Sequence, residues 1–302
     1  MEMNIGKIIT GAGCAFIFTL LFACGGKAPK QEASKETMLF RDYYGRELAI
    51  GTDPQRVVSL SPGITELLFD LEAGDRIVGR TNYCLYPERA KRIPSVGGIS
   101  DANIEMIMAK KPDVVFTASM IAKQMVEKMS SSGLCVVCLP ERQKVADVYE
   151  TVSFLGRLFR KEKLADSLIA DMKAKIAELS PAEPEGKKPS VYYVAGFGDT
   201  GDFTAGGNTF IDDVIRLAGG ENMAKNIKGW SISKEEIFAR QPDYIIIREE
   251  EAETFKRTAP YNKLKAVKQN KVLGINSSII DCQSLRTPQA IEQIRDFIHN
   301  DR

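Results

Sequence analysis

The chain has 302 residues, and its 41 basic and 40 acidic side chains leave a net charge of +1 at neutral pH. A balance this even lacks the electrostatic attraction on which nucleic-acid-binding proteins depend, so we expect no nucleic-acid partner. The one histidine, His299, lies close to the C-terminus, which argues against a catalytic or metal site built on histidine.

The first residues are typical of an export signal. Residues 8–23 are almost wholly apolar or small, and this run is too short for a comfortable membrane span of about 20 residues. Its ending, LFAC, resembles the bacterial lipobox, in which the cysteine becomes the lipidated first residue. We therefore predict a signal peptide over residues 1–23, lipidation at Cys24 and a polar tether over 24–37. A plain signal peptide is the alternative.

The next segment predicts an N-terminal α/β lobe over residues 38–160. Apolar runs in RVVSLS, RIVGRT and LCVVCLP predict strands of a buried parallel sheet, with helical spacing between them. Cys135 and Cys138 have redox-motif spacing, but they lie in an apolar run rather than at the start of a helix, so we interpret them as buried thiols. Whether these two cysteines, Cys84 and Cys282 form disulfides stays open.

The middle of the chain predicts one long helix over residues 161–180. Leu164, Leu168, Met172 and Ile176 recur every four residues, and residues 161–179 would span about 28 Å at 1.5 Å per residue. The proline-rich SPAEPEGKKPS then ends the helix, and strands and helices alternate again in a C-terminal α/β lobe over 181–302. Because a single packed helix joins the lobes, we expect only small movement between them.

A repeat relates the two lobes. NIEMIMAKKPDVVF (103–116) matches SKEEIFARQPDYII (233–246) at a constant offset of 130 residues, which pairs Glu105 with Glu235. Each copy predicts a short helix, a turn and a buried strand. We therefore predict an α/β protein with two Rossmann-like lobes joined by a single long backbone helix. Its ligand cleft is expected between the lobes, near the carboxyl ends of the strands.

Taken together, the motifs resemble a known family. RVVSLSPGITELLF, VGRTNYCLYPERAKRIPSVGG, FTAGGNTFIDDVIRLAGGENM, LRTP and the repeat resemble the helical-backbone substrate-binding proteins of ABC importers for metal chelates, which include receptors for cobalamin, ferric siderophores and haem. The resemblance implies an exported, membrane-anchored lipoprotein facing the periplasm or cell exterior. It would deliver a cobalt or iron chelate to an ABC permease dimer with its ATPase subunits, and it would have no intrinsic cofactor.

The resemblance also assigns a role to the repeated glutamates. In cobalamin-binding members, one glutamate of each lobe docks onto arginines of the two permease subunits, and the matching positions here are Glu105 and Glu235. An exposed charge pair contributes only about 0 to 1 kcal/mol, so such pairs would set register and association rate more than affinity. The alternative is that both glutamates merely favour the first turn of a helix through its dipole.

Candidate ligand-binding residues lie in the loops after the predicted strands. Aromatic rings suit a macrocycle or a catecholate, and an arginine suits an anionic oxygen of the chelate. The candidates are Ser61, Pro62, Tyr83, Tyr86, Phe197, Phe203, Trp230 and Arg286. Tyr83 matches a ligand-contacting tyrosine of the cobalamin receptor, whereas two tryptophans of that receptor's pocket are replaced here by Ile99 and Ala118. For each aromatic residue, packing in the core is the alternative.

Three other functions are alternatives to a cobalamin or siderophore receptor. A haem receptor of the same family could use a tyrosine oxygen as an axial ligand. A sensor or scavenger lipoprotein would work without a permease. An enzyme is disfavoured, because the chain has no G-x-S-x-G or Walker motif and because GFGDTG (196–201) does not open a helix as a dinucleotide site requires.

Overall fold

The computed structural model describes residues 36–140, 143–180 and 187–299. The predicted signal peptide, Cys24 and almost all of the tether lie outside these ranges. Within them, no helix combines the length and the apolar character needed to cross a membrane.

The N-terminal lobe is built on a four-stranded parallel sheet. Its strands are β3 (Val57–Ser59), β4 (Ile77–Arg80), β5 (Val114–Ala118) and β6 (Val136–Leu139), in the order β4-β3-β5-β6. Three helices connect them: α1 (Pro62–Asp70), α2 (Ile104–Ala109) and α3 (Lys123–Ser131). An antiparallel hairpin, β1 (Thr37–Arg41) with β2 (Glu47–Gly51), precedes this sheet and was not predicted from the sequence.

Two consecutive helices, α4 (Val148–Leu158) and α5 (Glu162–Leu179), join the lobes. The 18 residues of α5 span about 27 Å, which confirms the predicted long helix. A β-carbon added at Gly156 would lie 2.5 Å from the β-carbon of Ala165, so only glycine allows α4 and α5 to pack this closely.

The C-terminal lobe repeats the architecture of the first. Its parallel strands are β7 (Ser190–Val194), β9 (Glu221–Asn222), β11 (Tyr244–Arg248) and β12 (Val272–Ile275), in the order β9-β7-β11-β12. The short strands β8 (Asp202–Phe203) and β10 (Ser231–Ile232) form a separate two-stranded antiparallel sheet. The helices are α6 (Phe210–Leu217), α7 (Lys234–Arg240), α8 (Glu249–Arg257), α9 (Lys265–Lys268), α10 (Ser277–Ile280) and α11 (Thr287–His299).

Short 3-10 helices occur in both lobes, at Gly74–Arg76, Glu88–Arg92, Val145–Asp147 and Tyr261–Lys263.

The sequence repeat has a structural basis in the turn that follows each helix. Lys111 and Gln241, which are 130 residues apart, both adopt left-handed backbone angles, with φ of 46° and 45°. Asp113 then accepts a hydrogen bond from the backbone N–H of Arg56 at 2.9 Å, and Asp243 accepts one from that of Ser190 at 2.8 Å. Each aspartate thus ties its strand, β5 or β11, to the start of the neighbouring central strand.

A continuous apolar core connects the lobes. One cluster of buried side chains includes Leu67 of α1, Leu155 of α4, Ile169 of α5, Val214 of α6 and Ile291 of α11. The outer faces of the two sheets are covered by separate clusters. Because close-packed interiors resist deformation, this shared core limits how far the lobes can rotate apart.

Candidate ligand site at the strand ends

Exposed apolar side chains gather where the N-terminal strands end. Tyr83, Leu85 and Tyr86 lie in the loop after β4, and their exposed fractions are 61%, 52% and 43%. Met120, just after β5, is 69% exposed. Leu85 and Met120 were not candidates from the sequence, because nothing in a local pattern marks an apolar residue as exposed. Together these four residues offer a large apolar contact surface.

The C-terminal lobe offers two exposed aromatic residues, one on β8 and one immediately before its partner strand β10. Phe203 is 39% exposed and Trp230 is 44% exposed. Phe203 of β8 lies opposite Ser231 of β10, and the backbone N–H of Thr204 donates to the carbonyl of Trp230 at 2.7 Å. This pairing holds the two aromatic residues near each other, just after the loop that follows β7.

Phe197 has a different environment from the other aromatic candidates. Its ring makes edge contacts with Phe255 and Tyr261, at centroid distances of 5.1 and 5.5 Å, in the buried cluster over the C-terminal sheet. Tyr261 donates to Asp202 at 2.5 Å, and burial raises the pKa of Tyr261 to about 12. Phe197 therefore packs as part of the core that supports the loop.

Ser61 and Pro62 form the start of α1. The Ser61 hydroxyl accepts a hydrogen bond from the N–H of Ile64 at 3.5 Å, and Pro62 occupies the first helical position. Both residues stabilise the N-terminus of α1. The Ser61 oxygen accepts a hydrogen bond from an N–H group that has no partner within the helix, and Pro62 has no backbone N–H that would need one. In the described structure these residues position α1.

Arg286 is the residue that connects the two lobes at the strand ends. Its Nε and Nη2 atoms donate to the two carboxylate oxygens of Glu66 on α1, at 2.9 and 2.5 Å. The Arg286 side chain is 12% exposed and that of Glu66 only 3%. Burial disfavours the charged guanidinium, but the hydrogen bonds and attraction of Glu66 leave the pKa of Arg286 above its usual value.

Two further contacts complete this junction. The guanidinium of Arg286 lies over the ring of Tyr86, 3.7 Å from its centroid, which is a cation–π geometry. A β-carbon at Gly63 would lie 3.0 Å from the carbonyl oxygen of Gln283, so the first turn of α1 approaches the backbone of the other lobe closely. We call these five residues, Gly63, Glu66, Tyr86, Gln283 and Arg286, the inter-lobe seam.

Glu66 was missed by the sequence reasoning, although a signal was present. It stands in ITELLF, between residues that the apolar pattern buries, and it is 2% exposed. A carboxylate on a buried helix face requires a partner. The partner could not be inferred, because it lies 220 residues away in the chain.

A second arginine at the C-terminal strand ends is also paired. Arg248, the last residue of β11, donates from Nε to Asp281 at 2.9 Å, and Tyr193 donates to the other Asp281 oxygen at 2.6 Å. Burial, reinforced by Asp281, raises the pKa of Tyr193 well above its usual value, so this phenol stays neutral. Arg286 and Arg248 are thus both paired with carboxylates, Glu66 and Asp281.

The repeated glutamates lie on two short helices, one in each lobe. Glu105 and Glu235 are each the second residue of their helix, α2 or α7, and both side chains are exposed. Neither forms an ion pair with a residue in the described part of the chain. Across residues 36–140, 143–180 and 187–299, no three His, Cys, Asp or Glu side chains are arranged to hold a metal.

Comparison with known proteins assigns the family. The family model described as periplasmic binding protein matches residues 57–279. The chain therefore belongs to the periplasmic binding protein family. Its members are binding proteins rather than enzymes.

Individual relatives cover nearly the whole chain. The uncharacterized ABC transporter substrate-binding lipoprotein YvrC of Bacillus subtilis is 26% identical, over 93% of this chain and 94% of that protein. The cobalamin-binding protein of Halobacterium salinarum is 25% identical, over 99% of this chain and 86% of that protein. The solved periplasmic heme-binding protein RhuT from Roseiflexus shares the fold, with a TM-score of 0.72 at 23% identity over 81% of this chain and 99% of that one.

Replacing Glu66 by glutamine is expected to lower the free energy of unfolding by about 3 to 5 kcal/mol, because Arg286 is left buried without a counter-charge. Urea unfolding followed by circular dichroism measures this loss. The matched control is Glu47→Gln, which breaks a pair with Arg41 whose side chains are 76% and 71% exposed. The control is expected to lose less than about 1 kcal/mol. Equal losses in the two variants would contradict the importance of burial.

Asp70 on α1 is expected to make stability depend on pH. Burial, with Glu66 nearby, raises its pKa to about 6, although Arg286 lowers it. The folded state therefore binds this proton more tightly than the unfolded chain, and the stabilisation present below about pH 4 is lost as the pH rises through 6. In Asp70→Asn, the free energy of unfolding should decline between pH 4 and 7 by about 2 kcal/mol less than in the wild type. Asp166→Asn, an exposed control on α5, should keep the wild-type profile.

Proposed function

We propose that this protein is the substrate-binding component of an ABC importer for a metal chelate, and that its ligand is a cobalamin or a related corrinoid. The observation that carries the proposal is the character of the strand ends: exposed aromatic and aliphatic side chains on both lobes, beside arginines that carboxylates already neutralise. Such a surface favours a large ligand that is apolar or amide-bearing over a strongly anionic one, because an anion would have to displace Glu66 or Asp281.

The names of the relatives support the same conclusion. One relative is named an ABC transporter substrate-binding lipoprotein and another a cobalamin-binding protein, and each alignment covers more than nine-tenths of this chain. Haem is the second candidate, since a heme-binding protein has the same fold. The paired arginines favour the corrinoid, because haem carries two propionates that require free cations.

The residues proposed to contact the ligand are the exposed ones. They are Tyr83, Leu85, Tyr86 and Met120 from the N-terminal lobe and Phe203 and Trp230 from the C-terminal lobe. Ser61, Pro62, Phe197 and Arg286 are proposed to act mainly by supporting this surface, through the helix start, the core cluster and the inter-lobe seam. No intrinsic cofactor is part of the proposal.

The remaining proposals concern location and partners. Residues 1–23 are proposed as a cleaved signal and Cys24 as the lipid-anchored first residue, with residues 24–37 as tether between the membrane and the folded part. The folded part is proposed to divide into lobes over 38–160 and 181–302, joined by the helix segment 161–180. Glu105 and Glu235 are proposed to dock onto basic pockets of the two permease subunits, to which the ATPase subunits are bound.

Titration with cyanocobalamin is expected to give saturable binding and to quench the fluorescence of Trp230, the only tryptophan of the chain. The full-length protein is titrated in parallel with haemin and with ferric siderophores, followed by absorption. Quenching without saturation, or no binding of any of these compounds, would contradict the proposal. A Soret band that Tyr83→Phe or Tyr86→Phe removes would establish haem instead.

A matched pair of leucine variants tests the surface itself. Leu85→Ala is expected to weaken cyanocobalamin binding about fivefold, because burial of a half-exposed leucine against the ligand contributes roughly 1 kcal/mol. Leu39→Ala makes the same change at a residue that is 82% exposed on the β1–β2 hairpin, and it should leave the dissociation constant unchanged. If both variants bind like the wild type, the loop after β4 does not line the site.

Reversing both repeated charges, Glu105→Arg with Glu235→Arg, is expected to reduce ligand uptake through the permease at least about tenfold, since attraction becomes like-charge repulsion. Ligand binding by the isolated protein should be unchanged. The control, Asp166→Arg with Asp171→Arg, makes the same change of charge on exposed positions of α5 and should leave uptake intact. Unaltered uptake in the glutamate variant, with binding retained, would favour a sensor or scavenger.

A further inference from the structure

Cys84 and Cys282 belong to different lobes and are both buried, at 0% and 8% exposure. Cys84 follows β4 in the N-terminal lobe, and its sulfur accepts a hydrogen bond from the Thr65 hydroxyl of α1 at 3.1 Å. Thr65 is the residue before Glu66. The Cys84 thiol therefore lies against the same helix turn that contributes Gly63 and Glu66 to the inter-lobe seam.

Cys282 approaches this helix turn from the other side. It precedes Gln283, whose carbonyl oxygen closely faces Gly63, and it lies four residues before Arg286, which pairs with Glu66. Burial raises the pKa of the Cys282 thiol, and the groups close enough to shift it include Glu66, Arg286 and Cys84 itself. The first turn of α1 thus contacts the Cys84 thiol on one side and the backbone next to Cys282 on the other.

The other two cysteines of the described structure have a different setting. Cys135 immediately precedes the short strand β6 and Cys138 lies within it, so both belong to the N-terminal lobe. The Cys138 side chain is fully buried inside the N-terminal sheet. Of these four cysteines, Cys282 is the one in the C-terminal lobe, and Cys84 is the one whose thiol contacts the α1 turn at the seam.

We propose that Cys84 and Cys282 form a disulfide across the inter-lobe seam when the exported protein meets a disulfide oxidant. One thiol loses its proton and attacks a sulfur of the oxidant's disulfide, which releases one thiolate of the oxidant. The second thiol loses its proton and displaces the oxidant's remaining sulfur, so the new S–S bond forms and the oxidant is reduced to two thiols. Two protons leave with the two electrons.

The bond would reinforce the Glu66–Arg286 pair by a covalent link at the same place. Separation of the lobes at the seam, which the ion pair only disfavours, would then require reduction. The inference rests on the proposed export but not on the proposed ligand, because it depends only on the seam, and its test needs no chelate.

Peptide mapping of the full-length protein tests the proposal. The native protein is equilibrated with oxidised glutathione, denatured, alkylated and digested without reductant. We expect a peptide that links Cys84 to Cys282, and loss of alkylation at both, with full alkylation restored by prior reduction. Alkylation of both cysteines, attachment of glutathione to either, or a link from either to another cysteine would overturn the proposal.

Variants separate the pair from the other thiols. In Cys84→Ser, Cys282 should become fully alkylated under the same oxidising conditions, whereas Cys135→Ser with Cys138→Ser should keep the linked peptide. As a second measurement, a reductant should lower the thermal midpoint of the wild type and of this control but not that of Cys84→Ser. A midpoint of the wild type that is insensitive to reductant would count against an inter-lobe bond.

Discussion

The buried ion pair between Glu66 and Arg286 is the constraint on which the arrangement of the lobes depends. A carboxylate inside the apolar face of α1 is strongly unfavourable alone, and so is a guanidinium under Tyr86. Each becomes acceptable only when the other is present, and the two lie in different lobes. The pair therefore stabilises one relative position of the lobes, since almost any other position would leave a charge buried without its partner.

The same ion pair determines which charged groups remain free at the strand ends. With Arg286 held by Glu66 and Arg248 by Asp281, the cations at the junction are engaged by the protein itself. The exposed side chains that remain are rings, a leucine and a methionine. In the proposed function they would select a ligand by shape and apolar area more than by charge. The core shared through α4 and α5 allows little closure, so the proposed function requires these side chains to stand near their binding positions before the ligand arrives.

Local features of the fold could be read from the sequence, whereas contacts between distant segments could not. The α/β class, the two lobes and the long helix were predicted and are confirmed, and α5 begins within one residue of the predicted start. Helical spacing and apolar strands can be recognised from residues that are close together in the sequence. The partner of Glu66 cannot be inferred in this way, because an ion pair between residues 220 apart produces no periodic pattern in the sequence. For the same reason the sequence could not separate Phe197, which packs in the core, from Phe203, which is exposed. The binding roles of the candidates stay predictions.

The repeated glutamates are the one part of the duplication that internal structure does not explain. The left-handed residues and the aspartates after each helix have matching roles within their own lobes. Asn103 and Ser233 cap the two helices, because their side chains accept a hydrogen bond from the backbone N–H of the third helical residue. That third residue is Met106 in one copy and Glu236 in the other, so the helix start does not require a negative charge there. The helix dipole would favour a negative charge at the third position as much as at the second. In the first helical turn, both copies are acidic only at the second position, where Glu105 and Glu235 are exposed and form no ion pair within the described part of the chain. This favours a matched pair of external cations as the reason for the two glutamates.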